Sequence, residues 1–192
     1  MKLVKGLLLA AAALLVLSVA LMAENKPSDS YGRVDKAEVV VKHVKGDVFS
    51  LDLLWNNDQQ LAAFTYPLIV RGKGFHMRYD SVSWSPRTSY FAVKSVKPMD
   101  SLQQVLVGFF ADLDGTKEPL GIAEGSVATL YFTAEGASKS GDPCGVMIDT
   151  TFISPSSTLY GVTPDGTGMI HPAFEVVRQD ANGKAVTCKQ MK

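Results

Sequence analysis

The sequence predicts an all-β fold, an antiparallel β-sandwich of the jelly-roll type with about nine to ten strands. Apolar and polar residues alternate with a period of two from Ala37 onward. Clusters of turn residues separate the alternating runs, and after the first 23 residues no stretch keeps a helical period. Strands that follow one another without crossover helices form antiparallel sheets, and such sheets bury their apolar faces against each other.

The first 23 residues have the pattern of a secretory signal peptide. Lys2 and Lys5 precede an apolar run over 7–19, and small residues at Ala20 and Ala23 offer cleavage sites. An uncleaved membrane anchor is the alternative, but the apolar stretch falls just short of the roughly twenty residues that a membrane span needs. We therefore expect a cleaved mature protein that is secreted, periplasmic or at the cell surface, with no membrane contact of its own.

The remainder of the chain divides into a linker, one domain and a tail. Residues 24–36 are polar and contain proline, serine and glycine, which is typical of a mobile linker. Residues 37–178 are long enough to bury a single core, and 179–192 form a polar C-terminal tail. The 19 basic and 19 acidic residues cancel without separating into blocks, which argues against a nucleic-acid partner.

The first strands after the linker show how the alternation is interpreted. The run 48–55 ends at Trp55, which is in phase with the apolar residues before it, so we place Trp55 in the core. The run 62–70 also alternates, but Pro67 within it predicts an edge strand or a bulge.

The strand predicted over 75–84 changes phase along its length. Its aromatic residues Phe75 and Tyr79 share one face, whereas Trp84 falls on the other. A β-bulge near Asp80–Ser81 restores the register. Further strands are predicted over 90–96, 104–112, 127–134, 146–153, 158–162 and 169–177, with a single helical turn near 100–104.

Cys144 and Cys188 are the two cysteines of the chain. An even number of cysteines in an exported protein favours one disulfide, whereas free thiols are expected in a reducing compartment. A Cys144–Cys188 bond would tie the C-terminal tail to the domain and stabilise it by roughly 3–4 kcal/mol.

Several of these strands together resemble cohesin domains. The strand Phe49–Trp55, the polar turn Asn56–Gln60 and the strand Leu61–Leu68 resemble the opening of a cohesin. Gly125–Thr133 resembles a later cohesin strand, in which a glycine precedes an alternating run with an aromatic near its end. Over about Ala37–Val177, the resemblance implies a non-catalytic module that holds a protein partner, in cohesins a dockerin, on a sheet face. Other secreted sandwiches, including cellulose-binding modules, share much of this pattern.

No combination of residues predicts an active site. His43, His76 and His171 are predicted on three different strands, and none has a second ligand at the spacing that metal sites use. No pair of carboxylates is singled out for glycosidic chemistry either. We therefore predict that the chain is not an enzyme.

The sequence contains one calcium-like cluster. Asp112 and Asp114 stand before Gly115, as in the opening of many calcium loops. A turn at the end of a strand explains the same residues, and the closing glutamate of a calcium loop is not at the required offset. We predict no cofactor, with calcium at Asp112 and Asp114 as the alternative.

Aromatic rings are the remaining candidates for binding. Sugar-binding sandwiches stack exposed rings on pyranose faces, and Trp84, Tyr90 and Tyr79 are the rings that qualify here, although core or rim packing also explains them. We predict a secreted, non-catalytic binding or assembly module that contacts a protein partner through a sheet face or edge. The alternatives are a carbohydrate-binding module with a polysaccharide ligand, and a self-assembling extracellular structural subunit.

Overall fold

Two β-sheets packed face to face make up the part of the chain that the structure describes. The computed structural model describes residues 27–112, 116–136, 141–150 and 158–188, so the predicted signal peptide lies outside the described residues. The strands in chain order are β1 (Lys36–Lys45), β2 (Val48–Asn57), β3 (Ala63–Gly72), β4 (His76–Trp84), β5 (Val93–Met99), β6 (Gln104–Phe110), β7 (Ala123–Glu135), β8 (Val146–Asp149), β9 (Tyr160–Val162), β10 (Met169–Ile170) and β11 (Ala173–Gln179). The predicted all-β jelly-roll sandwich is confirmed, with eleven described strands.

Short 3-10 turns are the helical elements of these described ranges, at Asp100–Leu102, where the sequence predicts a helical turn, and at Pro143–Gly145. None of the helical segments in the described ranges has the length and apolar character to cross a membrane.

The first sheet has the strand order β11-β1-β2-β7-β4, and the second has the order β10-β9-β3-β6-β5 with β8 also paired to β3. All recorded strand pairs are antiparallel except β1 and β11, which run parallel from Lys36 opposite Ala173. The predicted antiparallel sandwich is therefore confirmed, with this parallel pair as its exception among the described strands. The closing strand returns from the other sheet and enters beside β1 in the same direction, a connection that the alternating pattern does not encode.

The strand predicted over 169–177 is two strands in the structure. β10 pairs with β9 in the second sheet, whereas β11 pairs with β1 in the first. Pro172 stands between them and has no N–H to give to a ladder, so the pairing breaks there and the chain changes sheets. The strand predicted over 90–96 also begins later, at Val93, because hydrogen bonds between Thr88 N and Ser85 O and between Phe91 N and Thr88 O form turns before it.

The core lies between the two sheets and is rich in aromatic rings. Trp55 is fully buried, as its phase in β2 predicts, and its ring meets Tyr66 edge-on at a centroid distance of 5.5 Å. Phe64 stacks on Phe109 at 4.3 Å, which joins neighbouring strands β3 and β6. Such ring pairs add roughly 0.5–1.5 kcal/mol each to the energy of burial.

The predicted β-bulge is present in β4. Its pairing with β7 shifts register between Tyr79 and Ser81, next to the predicted position at Asp80–Ser81. The expectation for Pro67 is wrong, because β3 is an interior strand with partners on both sides. On one side Pro67 pairs with Leu106, and on the other it falls between the residues paired with β9 (63–65) and those paired with β8 (69–72). This gap in the ladder accommodates a residue without an N–H.

The described part of the predicted linker is packed on the domain. We call residues 27–35 the N-terminal strap. Ser28 and His171 exchange two backbone hydrogen bonds of 2.9 Å, and the Tyr31 ring lies so close over Gly168 that an added Cβ there would be 2.5 Å from its hydroxyl. The strap ends at Asp35, which is only 2% exposed. Composition indicates mobility here, but tertiary contacts override it.

The predicted disulfide is confirmed. Cys144 and Cys188 are bonded, with their Cα atoms 5.5 Å apart. Ahead of Cys188, the tail folds back so that Ala185 bridges Gln179 at the open side of β11. The described part of the tail thus covers an edge of the first sheet. Residues 189–192 lie outside the described residues.

Candidate protein-docking face

The outer face of the second sheet is the candidate functional surface. Inward residues of β3 and β6, such as Phe64 and Val107, are buried, and the residues between them point to the opposite side. The register places Val93, Phe110 and Ala63 in one row across three strands. We call the outward residues of the stretch where β5, β6 and β3 pair, apart from the buried Pro67, the docking face: Ala63, Thr65, Ile69, Val93, Ser95, Lys97, Met99, Gln104, Leu106, Gly108 and Phe110. Arg71 of β3 and Asp149 of β8, both exposed, border this face beyond Ile69.

The docking face is nearly uncharged and carries exposed apolar side chains. Lys97 is the one charged residue among its eleven members. Phe110 is 40% exposed and Val93 is 38% exposed, although both lie on regular strands. Depletion of charge together with exposed aromatic and aliphatic groups is the composition found at the centre of protein interfaces.

The outer face of the first sheet is different in character. It is covered by charged and hydroxyl side chains that are already paired with one another. Asp52 accepts hydrogen bonds from Ser126 Oγ at 2.5 Å and Thr129 Oγ1 at 3.2 Å. Ion pairs on this sheet join Lys36 with Glu38 and Glu175, and Arg78 with Asp80 and Glu135. This contrast makes the outer face of the second sheet the candidate surface.

Gly108 lies near the centre of the docking face. It lies between Ser95 on β5 and Thr65 on β3, and an added Cβ would come within 3.2 Å of Ser95 Oγ. The Ser95 hydroxyl thus lies beside the space above Gly108, and a larger residue at position 108 would have to displace it.

Arg87 fastens one end of the sandwich, where β2 ends and β7 begins. Its Nη1 donates to Trp55 O at 2.8 Å and to Gly125 O at 3.0 Å. Its Nη2 donates to Asn57 Oδ1 at 2.9 Å and also to the carbonyl groups of residues 121 and 123. Burial lowers the pKa of Arg87 from its ordinary value. One guanidinium therefore serves five acceptors on two strands and a loop.

An acidic cluster lies beside the turn that follows β2. The ligating oxygens of Asp29, Asp35 and Asp58 are all within 4.8 Å of one another. Trp55 Nε1 and Gln59 Nε2 both donate to Asp35 Oδ2 at 2.9 Å. Burial nevertheless raises the pKa of Asp35 to about 6, because desolvation of the carboxylate outweighs these two hydrogen bonds. These oxygens are the described side-chain atoms best placed to hold a metal ion.

The three rings predicted for sugar binding pack on separate core phenylalanines. Tyr79 meets Phe132 edge-on at 5.7 Å, and Trp84 meets Phe109 edge-on at 5.5 Å. Tyr90 is 37% exposed, contacts Phe91, and donates its hydroxyl to Pro119 O at 3.1 Å. Their placement shows rim packing, and sugar binding by these residues stays a prediction.

The predicted calcium turn is only partly described. Asp112 follows β6 and is half-buried, whereas Asp114 lies outside the described residues. Calcium at this turn therefore stays a prediction. His43, His76 and His171 do lie in separate places, on β1, on β4 and directly after β10.

Solved structures of cohesins share this architecture. The third ScaC cohesin of Acetivibrio cellulolyticus, solved with the ScaB dockerin, superposes with a TM-score of 0.58 at 12% identity, covering 77% of this chain and 99% of that one. The OlpC cohesin of Clostridium thermocellum, solved as a complex with a dockerin, gives 0.56 at 14% identity, with coverages of 79% and 98%. The seventh ScaB type I cohesin of Pseudobacteroides cellulosolvens gives 0.51 at 12% identity, with coverages of 81% and 96%.

The predicted resemblance is thereby confirmed at the level of structure: this chain contains a cohesin-like domain. At 12–14% sequence identity, the similarity establishes the fold alone. No protein-family model matches the sequence, and no curated protein matches it.

Two polar clusters at the ends of the strands are missed by reasoning from sequence. Asp29 and Asp35 come from the strap and Asp58 comes from the turn after β2, so nothing in their spacing signals a cluster. Arg87 stands in a serine-rich turn and resembles any exposed arginine. The docking face had a signal, because β5 and β6 carry few charges on one side, but alternation alone does not tell which face is buried.

Proposed function

We propose that this chain is an exported, non-catalytic module that binds a protein partner through the docking face. The observation that carries the proposal is the difference between the two sheets. The first sheet pairs outer charges with one another, whereas β5 and β6 of the second sheet present Val93, Leu106 and Phe110 with Lys97 as the one charged outward residue on these two strands. The exposed charges Arg71 and Asp149 lie on the β3 and β8 side of the same face. An exposed apolar patch on a regular sheet is costly in water unless a partner covers it.

The solved neighbours support a folded protein module as the partner. Two of the three structures described above were determined with a dockerin bound to the cohesin. We extend to this chain the proposal that a dockerin-like module is the partner. Export is part of the same proposal and is supported by the signal-peptide pattern; N-terminal sequencing of the mature protein should then find a start after Ala20 or Ala23.

The size of the face sets how the binding energy should be distributed. Three strands at about 4.8 Å spacing, each seven residues of about 3.4 Å, span roughly 350 Å². A standard interface buries about 800 Å² on each partner, so the docking face supplies the centre and neighbouring residues supply the rim. Central aromatic residues usually dominate such an interface, which makes Phe110 the expected hot spot.

The test compares matched variants of one exposed valine on each sheet. Val93→Lys changes the docking face, whereas Val44→Lys changes β1 of the first sheet, where Val44 is 48% exposed. Each protein, with Phe110→Lys as a third variant, is immobilised and exposed to an envelope extract of the source organism, and proteins and sugars in the eluate are identified. A partner held by the wild type and by Val44→Lys, but weakened at least about 30-fold by Phe110→Lys, is the expected result.

Other outcomes would remove the proposal. A partner retained equally by both docking-face variants would place the binding site elsewhere. A polysaccharide in the eluate that is lost with Trp84→Ala would favour the carbohydrate-binding alternative. Self-assembly would show as concentration-dependent sedimentation, although Lys94, Lys97 and Pro98 on edge strand β5 are features that disfavour strand pairing between copies.

A further inference from the structure

Four oxygen-bearing side chains meet where the N-terminal strap passes the end of β2. We propose that they bind a hard divalent cation, and that calcium is the ion that fits them. Asp29, Asp35 and Asp58 place ligating oxygens within 4.8 Å of one another. Gln59 belongs to the same group, because its Nε2 donates to Asp35 Oδ2 at 2.9 Å.

Besides the three carboxylates, the cluster contains buried oxygens that accept no hydrogen bond from the described residues, which is a second sign of a bound cation. Asp29 Oδ2, Asp58 Oδ1 and the neutral Gln59 Oε1 are each withdrawn from solvent, and no described protein group donates a hydrogen bond to them. Asp35 is only 2% exposed. The one described hydrogen bond to its Oδ1 is a long one, donated by Asp58 N at 3.4 Å. Buried polar atoms nearly always have a partner, so several unpaired oxygens in one place require a common explanation.

The described surroundings do little to balance the negative charge of the cluster. Lys36 also lines the neighbouring pocket, but its Nζ is paired with Glu38 and Glu175. Arg33 is the basic residue paired with the cluster itself, with Nε 4.0 Å from Asp58 Oδ2. Its side chain is 89% exposed, so solvent screens most of that interaction. Three carboxylates at such short range repel one another, and a divalent ion between them would turn that repulsion into attraction.

The donor set selects the type of ion. Calcium takes six to eight oxygen ligands from carboxylates, amide carbonyls and water, in flexible geometry. Three carboxylates and the Gln59 amide supply at least four of these, and a pocket of about 200 Å³ lined by Asp35 and Asp58 gives room for water ligands and for entry. Magnesium demands a stricter octahedron, and zinc prefers nitrogen and sulfur ligands, so both fit this all-oxygen set less well.

The ion would fasten the strap to the domain. Asp29 belongs to the strap, whereas Asp58 and Gln59 belong to the turn after β2. The strap already approaches this turn closely at Gly32, where an added Cβ would clash with Asp58 Oδ2, and Arg33 N donates to the same oxygen at 2.7 Å. Calcium would add a link between two segments that are distant in sequence. The proposed site is separate from the turn at Asp112.

Two measurements on the mature chain test the site. The first is a thermal melt in chelator and then with added calcium. The second is terbium luminescence excited through tryptophan: Trp55 Nε1 lies 2.9 Å from Asp35 Oδ2, so a terbium ion at this site would receive energy from an adjacent indole. Calcium should then displace terbium and quench its emission.

The variants are chosen to keep the existing hydrogen bonds. In Asp29→Asn and Asp58→Asn, the amide oxygen can still accept from Tyr31 N and Arg33 N. Asp100→Asn, at an exposed position in the 3-10 turn after β5, is the matched control.

We expect calcium at about a hundred times its dissociation constant to raise the melting temperature of the wild type and of Asp100→Asn by roughly 5–10 °C. The rise and the terbium emission should both be lost when Asp29→Asn and Asp58→Asn are combined. The proposal is overturned if the wild type shows neither response. It is equally overturned if both responses survive the double substitution, or if Asp112→Asn alone abolishes them.

Discussion

Replacing Arg87 should loosen the end of the sandwich where β2 ends and β7 begins. Its guanidinium donates five hydrogen bonds, of which those to Trp55 O, Gly125 O and Asn57 Oδ1 are partly buried. Counting only these three bonds, at about 1–1.5 kcal/mol each, Arg87→Met should lower the free energy of unfolding by roughly 3–5 kcal/mol. Arg87→Lys keeps the charge but cannot reach all the acceptors, so we expect about half of that loss.

Urea unfolding measures this difference. With an m-value of about 2 kcal/mol/M for a domain of this size, the midpoint for Arg87→Met should fall by roughly 1.5–2.5 M while the slope stays unchanged. Arg71→Met, at an exposed position on β3, is the control and should stay within about 0.5 kcal/mol of the wild type. If Arg87→Met unfolds at the same midpoint as the control, the hydrogen bonds of Arg87 are not stabilising, and the reasoning fails.

Two further predictions concern the ionisation of Asp35 and the disulfide. Because the pKa of Asp35 rises from 3.8 to about 6 on folding, the folded state binds the proton more tightly, and in chelator stability should fall by up to about 3 kcal/mol as pH rises from about 4 to about 6. Asp35→Asn should lack this contribution, and an identical pH profile for both proteins would contradict the assignment. The Cys144–Cys188 bond spans a sequence separation of 44, so Cys188→Ser should cost about 4 kcal/mol by urea unfolding, and a change below about 0.5 kcal/mol would refute the chain-entropy estimate.

Local chemistry explains which parts of the fold are predictable from sequence. In β2 every second residue from Phe49 to Trp55 is buried, so the burial pattern follows the alternation directly. The phase change in 75–84 locates the bulge after Tyr79, because inserting one residue is the simplest way for both halves of a strand to keep their apolar side inward. The two cysteines allow one pairing, so the disulfide needed no geometric information.

Features that depend on tertiary pairing are not encoded locally. The parallel addition of β11 to β1 joins segments more than 130 residues apart, and a sequence pattern carries no direction for such a pairing. Pro67 suggests an edge because proline lacks an N–H, but a gap between two partner strands satisfies the same requirement. From sequence the strap resembles a linker because most of its residues are polar. Their partners, such as His171 and Asp58, are brought beside the strap only when the domain folds.

The polar features of this molecule are concentrated where strands end, and this arrangement leaves the docking face free for binding. Asn57 accepts a hydrogen bond from Arg87, whereas the next residues, Asp58 and Gln59, belong to the acidic cluster. The guanidinium group of Arg87 and the carboxylates therefore contact neighbouring residues at the end of β2. No docking-face residue takes part in either group. On the proposed function, stability and recognition of a partner would therefore depend on different residues. Asp58→Asn should then change calcium-dependent stability while leaving partner binding at the docking face intact. A coupled loss of both properties in Asp58→Asn would show that the strap contributes to the interface, and the division between frame and docking face would then have to be abandoned.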